Sequence, residues 1–193
     1  MALIDKIKQD LSKSGYDSKN RQSMDWLMRK VKNVSSGATS SSILKDRNRK
    51  VSEPTIGRMF FFSYDPKTKD KLPFYDRFPL VLPIEQYDDG FLGLNLHYLS
   101  FKDRAGLLGA LYSFRNNDKW NHTTKIQASY DLISRTSRLA IARPCIKRYL
   151  FSHVRSRFIE ITADEWEIAI FLPVERFVGA SSSKVHKISR GSP

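Results

Sequence analysis

The fold is indicated most directly by the stretch MFFFSY, residues 59–64. It is too short and too aromatic for a helix, and its composition is typical of a buried strand. Asp65–Thr68 follows with Asp and Pro at the first two positions of a type I turn. Two more strands are predicted at Pro79–Ile84 and Phe91–Tyr98, with a hairpin turn at Tyr87–Gly90 between them. Short strands joined by tight turns predict a small, strongly bent sheet, and an SH3-like β-barrel is the expected form.

Helices and a further strand are predicted after this sheet. A variant of the capping box opens the first helix, and a proline suited to a first helical turn opens the third. The helices are predicted over residues 100–112, 125–141, 144–151 and 164–171, and the strand over residues 157–161.

The N-terminal third consists of amphipathic helices and polar linkers. Apolar residues recur at helical spacing from Leu3 to Leu11 and again between Ser23 and Val34. Ser35–Ser42 is a low-complexity connection that we expect to be flexible, and the basic run Lys45–Lys50 follows it. Amphipathic basic helices of this kind can dock on a partner protein or lie on DNA.

These patterns predict an α+β protein made of three segments. Residues 1–56 are expected to form a basic helical arm with its linker, and residues 57–180 an α+β core with flanking helices. Residues 181–193 form a basic, serine-rich tail, which we expect to be mobile.

Positive charge dominates the chain and is concentrated in one stretch. The 193 residues carry a formal net charge of +13. Residues 135–157 contain seven lysines and arginines and no carboxylate, and apolar residues alternate with them, which indicates a folded basic surface. Such a surface is typical of a protein that meets phosphate, so a polyanion such as double-stranded DNA is the expected partner. The candidate DNA-binding residues are Arg135, Arg138, Arg143, Lys147, Arg148, His153, Arg155 and Arg157.

Aromatic residues near these cations could stack on exposed bases. Tyr149 lies inside the basic stretch, and Tyr75 lies in a lysine-bearing segment between Phe74 and Asp76. Most aromatics at such spacings belong to a core, so Tyr75 and Tyr149 are candidates for base stacking rather than assignments.

No motif in the sequence requires an enzyme. There is no glycine-rich phosphate loop, no pair of histidines at helical spacing, and a single cysteine, Cys145. A metal-dependent nuclease would need converging carboxylates, but turn chemistry and helix capping explain the acidic groups more simply. We therefore expect no catalytic residue, no metal and no cofactor.

The sequence favours an intracellular setting without a membrane. No apolar run reaches the ~20 residues that a membrane span needs, and no signal-peptide pattern is visible. Assembly in a reducing cytoplasm is expected.

Several segments resemble a protein family of T-even-type tailed bacteriophages, the DNA end protector proteins. The similarity covers roughly residues 57–180. It is carried by residues 64–76, 78–81, 90–99, 147–150, 152–154 and 172–177. The resemblance implies a minor virion protein near the neck, bound to the terminus of the packaged linear DNA, which it protects from host exonuclease. It assigns no binding residues.

A second hypothesis remains open at this stage. The chain could be a structural connector of a myovirus neck, tail or baseplate, with its N-terminal helices bound to neighbouring virion proteins. Its basic faces would then meet acidic protein partners rather than DNA.

Overall fold

A computed structural model describes residues 3–16, 24–115 and 143–191. The predicted helix over residues 125–141, with Arg135 and Arg138, lies outside the described residues.

Three helices form the N-terminal third: α1 (Leu3–Lys13), α2 (Met24–Val34) and α3 (Ser40–Leu44). The apolar stripe of α1 is buried, and Gly15 ends the helix with a φ of 88°, which glycine adopts without strain. The serine-rich segment is more ordered than predicted, because the Thr39 side chain caps α3. Within α3, the buried Ser40 hydroxyl donates a hydrogen bond to the Val174 carbonyl at 2.8 Å.

Six antiparallel strands form the main sheet of the described residues. Its order is β1-β7-β2-β4-β5-β6. The strands are β1 (Lys50–Val51), β2 (Met59–Phe61), β4 (Leu80–Tyr87), β5 (Gly90–Asn95), β6 (Ile146–Leu150) and β7 (Phe158–Ile161). The expected SH3-like barrel was wrong, since β1 and β6 are the sheet's outer strands and do not pair to close it. The α+β class is confirmed.

The β4–β5 hairpin confirms the predicted turn at residues 87–90. Gly90 is required there, because a Cβ at this position would lie 1.9 Å from the Tyr149 carbonyl oxygen of β6. The next predicted strand ends early, at Asn95, whose side-chain oxygen accepts a hydrogen bond from the His97 amide at 3.0 Å. That bond caps a 3₁₀ turn over Leu96–Tyr98 in place of more strand.

Three more helices and a two-stranded ribbon complete the described fold. The helices are α4 (Phe101–Arg115), α5 (Trp166–Ala169) and α6 (Ser182–Gly191), and the ribbon pairs β3 (Tyr75–Asp76) with β8 (Phe177–Val178). The segment 181–193, expected to be a mobile tail, contains α6, which buries Val185 completely. The helix predicted over 144–151 is a short 3₁₀ turn followed by strand β6.

Both faces of the sheet are apolar. Met59 and Phe61 point into the large core that also contains the buried stripes of α1 and α2. Phe60 and Phe62 point into a smaller aromatic cluster on the other face. This aromatic cluster consists of Phe60, Phe62, Tyr64, Val81, Phe91, Tyr149 and Phe158. Although the apolar residues of α1 and α2 share the large core, the division of the chain at residues 56 and 180 stays a prediction.

The basic run Lys45–Lys50 contributes to this packing through Arg49. Its guanidinium forms ion pairs with Asp5, Asp46 and Glu165, which belong to three different segments. Glu165 also closes a capping box with Thr162, as its carboxylate accepts a hydrogen bond from the Thr162 amide at 3.1 Å. Arg49 therefore ties the N-terminal helices to the end of the sheet.

Candidate nucleic-acid interface

Strand β6 carries two of the predicted DNA-binding cations on the edge of the sheet. The exposed Arg148 guanidinium lies 3.8 Å from the centroid of the Tyr87 ring and forms an ion pair with Asp89. Lys147 is only partly exposed, and its ammonium lies 4.4 Å from the centroid of the Tyr98 ring. Burial lowers the pKa of Lys147. The two neighbours thus differ, one facing solvent and one partly withdrawn from it.

The segment after β6 holds the next cations in a fixed position. His153 Nδ1 lies 2.8 Å from the Asp65 carbonyl oxygen, and the Asp65 amide donates back to the His153 carbonyl at 3.1 Å. The Arg155 amide donates to the Ser63 carbonyl at 2.8 Å. The backbone between β6 and β7 is therefore fastened to residues 63–65, while the side chains of Arg155 and Arg157 are exposed.

Asp65 is the carboxylate nearest to this segment. A hydrogen bond from Lys69 lowers the pKa of Asp65, and Arg155, with its Nη2 at 3.6 Å, acts in the same direction. Lys69 is the closer partner, at 3.0 Å. Asp65 is thus shared between two cations and neutralises neither alone.

A cleft of about 320 Å³ opens between β6 and the loop that precedes β3. Its cationic lining comes from Lys67, Lys147 and Arg148, and its aromatic lining includes Phe74, Tyr75 and Tyr98. The volume lies at the lower end of the range of about 300–1,000 Å³ that is usual for small-molecule sites.

The floor of the cleft is a network of buried polar groups around Asp76. One carboxylate oxygen of Asp76 accepts from the Phe78 amide at 3.1 Å, and the other accepts from Asn95 Nδ2 at 3.2 Å and lies 2.7 Å from His97 Nδ1. Asn95 Nδ2 also donates to the Tyr149 hydroxyl at 3.1 Å. Both carboxylate oxygens are thus satisfied from within the protein, whereas His97 Nε2 is buried with no hydrogen-bond partner among the described residues.

The two candidate stacking residues differ in exposure. Tyr149 is 3% exposed in the aromatic cluster, with its ring centroid 5.3 Å from that of Phe62, and burial raises its pKa well above the ordinary value. Its ring is not accessible to a base, so the structure gives it a packing role. Tyr75 is partly exposed at the cleft, and its role in base stacking stays a prediction.

The structure brings together only part of the predicted basic surface. Lys147, Arg148, His153, Arg155 and Arg157 lie on β6 or on the segment that follows it. Arg143 opens the 3₁₀ turn Arg143–Cys145 that precedes β6.

Sequence reasoning named Tyr75 on the loop that forms the opposite wall of the cleft, but it did not include the lysines of that loop among the candidate DNA-binding residues. These lysines, Lys67, Lys69 and Lys71, are all exposed, and the sequence pattern favoured solvated turn chemistry for them. The alternation of lysines immediately before Phe74 and Tyr75 is the signal that could have marked this wall.

The residues that the structure describes offer no candidate metal centre and no reactive thiol. No group of His, Cys, Asp and Glu among those residues could hold a metal ion. The Cys145 thiol is buried, which raises its pKa to about 12, so it is not a reactive nucleophile. Among the same residues, no helix has the length and apolar character to cross a membrane.

Comparison with known families decides the identity of the chain. Residues 2–189 match the family described as the phage T4 terminal DNA protecting protein. The chain belongs to this family. No curated protein and no solved structure matches it. The resemblance seen in the sequence is thus confirmed, and the family match extends it from residues 57–180 to the N-terminal helices.

Proposed function

We propose that this protein binds the ends of linear phage DNA without sequence preference and shields them from host exonuclease, and that it does so without catalysis. The observation that carries the proposal is the basic edge of the sheet, Lys147–Arg157, beside a cleft with aromatic and lysine side chains. The family description, a terminal DNA protecting protein, supports it independently.

Phosphate contacts would supply most of the affinity. The exposed Arg155 and Arg157 side chains follow the edge strand closely, and Arg148 lies on that strand. Arginine donates bidentate hydrogen bonds to phosphate, and exchange of the Asp89 and Asp65 partners for DNA phosphates would cost little because exposed ion pairs are weak. The contacts carry no base information, which suits a protein that holds any DNA end.

The protein would act in the virion, after assembly in the host cytoplasm, and its partners there would include other virion proteins near the neck. The apolar stripes of α1 and α2 are buried in the protein's own core, with Ile4, Leu11 and Val31 at most 1% exposed. Docking through these helices would therefore use their polar and basic faces.

A connector function is the second candidate. Leu72 and Val178, exposed by 40% and 41%, present apolar surface on the loop before β3 and on β8. Exposed apolar side chains of this kind are typical of contacts between proteins, and such contacts would serve a neck, tail or baseplate component.

An exonuclease protection assay tests the proposal. Linear duplex is incubated with the protein and then with a nuclease that starts at duplex ends. We expect the wild type to leave full-length DNA, and the Arg155→Glu/Arg157→Glu double variant to lose this protection. The control, Lys6→Glu/Lys45→Glu, makes the same charge change at two exposed lysines of the N-terminal helical region, one in α1 and one directly after α3. We expect this control to retain protection.

The same assay separates the alternatives. Degradation at an unchanged rate in the presence of wild-type protein would contradict end protection and favour the connector. Degradation by the protein alone, with Mg²⁺ and no added nuclease, would contradict the non-enzymatic proposal.

A further inference from the structure

Lys147 is a partly buried cation that forms no ion pair within the described residues. Arg148 pairs with Asp89, and Lys69 and Arg155 share Asp65, but no carboxylate of the described residues forms an ion pair with Lys147. Its ammonium is in contact with the Tyr98 ring and borders the cleft. Withdrawing a charge from water without a partner is unfavourable, and an anion that enters the cleft would relieve this cost.

The remaining lining of the cleft suits a flat ring. Phe74, Tyr75 and Leu72 supply aromatic and apolar surface on the wall opposite β6. The Asp76 carboxylate at the floor is buried and occupied by three hydrogen-bonding groups of the protein, so the groups left to bind an incoming anion are Lys67, Lys147 and Arg148. A ligand with one anionic group and one flat ring matches both walls.

A nucleotide is the ligand with this chemistry, and the volume of about 320 Å³ suits a single one. Bases inside a duplex are paired and stacked, so they reach a protein pocket only when the protein extrudes them from the duplex at an energetic cost. The last nucleotide of a strand has a neighbour on one side alone and leaves the stack more easily. The cleft therefore selects for a DNA end through its shape.

We infer that the cleft binds the terminal nucleotide of a DNA strand, with a terminal phosphate monoester on Lys147 and the base against Tyr75. This inference rests on the proposed function, since it identifies the chemical group at the DNA end that the protein recognises. The basic edge then holds the duplex, and the cleft distinguishes an end from internal DNA.

Binding to four DNAs of the same stem sequence tests the inference. They are a hairpin with one blunt end and a 5′-hydroxyl, the same hairpin with a 5′-phosphate or a 3′-phosphate, and a closed dumbbell without an end. Fluorescence anisotropy gives the dissociation constants for wild type, Lys147→Met, Tyr75→Leu and the control Lys6→Met, which removes an exposed lysine of α1.

We expect the wild type to prefer one of the phosphorylated hairpins, and the 5′ and 3′ versions show which terminus enters. Lys147→Met abolishes a preference of about tenfold for the phosphate, the scale of one charge-assisted contact. Tyr75→Leu weakens binding of every open hairpin roughly tenfold through lost stacking. Lys6→Met leaves binding to all the DNAs unchanged.

Thermal unfolding distinguishes a ligand-binding lysine from one that stabilises the fold, because only loss of the latter lowers the melting temperature. Because Lys147→Met replaces a partly buried, unpaired charge by an apolar side chain of similar length, its melting temperature should equal or exceed that of the wild type. A stable variant that has lost the phosphate preference identifies Lys147 as a ligand-binding residue.

Two results overturn the inference, and they differ in what they leave standing. If hairpins are preferred over the dumbbell but Lys147→Met behaves like Lys6→Met, the cleft is not the site, while end binding survives. Equal binding of hairpin and dumbbell by the wild type would refute end binding and the cleft inference together.

Discussion

Two arginines on the helical side of this protein, made of α1–α4 and the 3₁₀ turn after α3, are paired, whereas the arginines on the basic edge, residues 147–157, are largely exposed. On the helical side Arg49 pairs with three carboxylates, and the buried Arg104 bonds to Glu175 and to the carbonyls of Leu99, His97 and Ile170. At the edge, Arg155 and Arg157 are exposed. Whether a cation stabilises the fold or is available to bind a ligand therefore depends on its partners. Those partners are visible in the structure but not in the sequence.

The largest effect on stability is expected for a substitution of Arg104, in the protein interior. Arg104→Met leaves Glu175 and the carbonyls of Leu99 and Ile170 without their side-chain donor, while the His97 carbonyl keeps the bond from His186, and we expect a loss of about 3–5 kcal/mol in the free energy of unfolding. Urea denaturation measures it. Lys102→Met, an exposed change on the same helix, should stay within about 0.5 kcal/mol of wild type. Equal effects of the two variants would show that the hydrogen bonds and ion pair of Arg104 contribute little to the free energy of unfolding.

The complementary change on the β6 edge should alter DNA binding and leave stability unchanged. Arg155→Met/Arg157→Met removes two exposed cations, so the salt dependence of DNA binding, the slope of log K against log salt concentration, should become shallower by about 2. Titrations at four salt concentrations give the slope. Lys6→Met/Lys45→Met is the charge-matched control, and a slope change as large as that of the edge variant would remove the distinction between the two sides.

Sequence reasoning found β2, β4, β5 and β7 from their local composition and turns, but it missed β6, which forms only by pairing with β5. The β4–β5 hairpin follows from its turn residues and was predicted correctly. Ile146, Tyr149 and Leu150 have helical spacing behind Pro144, yet this segment pairs with β5 and becomes an edge strand. Tertiary pairing thus overrode a local signal of equal strength.

The candidate site was predictable to a similar extent. The basic stretch identified Lys147 and Arg148 from their neighbours in sequence. Their different partners, Tyr98 for Lys147 and Asp89 for Arg148, lie 49 and 59 residues away in the chain and are brought close only by the fold. In the same way, Arg49 is locally part of a solvated basic run, and its contact with Glu165 appears only in three dimensions.

The buried Tyr149 and the partly exposed Tyr75 extend this comparison to smaller expected effects on stability and DNA binding. Tyr149→Phe removes one of the two acceptors of Asn95 Nδ2, with Asp76 as the other, and should cost about 1 kcal/mol of stability, with DNA binding unchanged. Tyr75→Phe keeps the ring at the cleft and should change neither property by a measurable amount. Denaturation and DNA titration of both variants check this, and a loss of DNA binding in Tyr149→Phe alone would contradict the packing role.

The smallest effect concerns pH and the helical side. Burial alone would raise the pKa of Asp164, but hydrogen bonds from Lys8 and Thr162 outweigh it and hold the pKa at about 2. Because the folded-state pKa is depressed, the pair stabilises the protein above about pH 4, and this stabilisation is lost as the pH falls towards 2. Both side chains are more than a third exposed, so the contribution stays below about 1 kcal/mol.

Lys8→Met tests this pair by urea denaturation at two pH values. The variant should be slightly less stable than wild type at pH 6, and the difference should vanish near pH 2. A difference that persists unchanged at pH 2 would show that Lys8 acts through packing rather than through Asp164.

The central claim is that the basic edge and its cleft hold a DNA end. Competition between blunt linear duplex and relaxed circular duplex of the same sequence, across a salt series, tests it most directly. The account predicts tighter binding to the linear form at every salt concentration, with the preference reduced in Arg148→Glu/Arg155→Glu. Equal affinity for the two forms, or no binding near physiological salt, would contradict it.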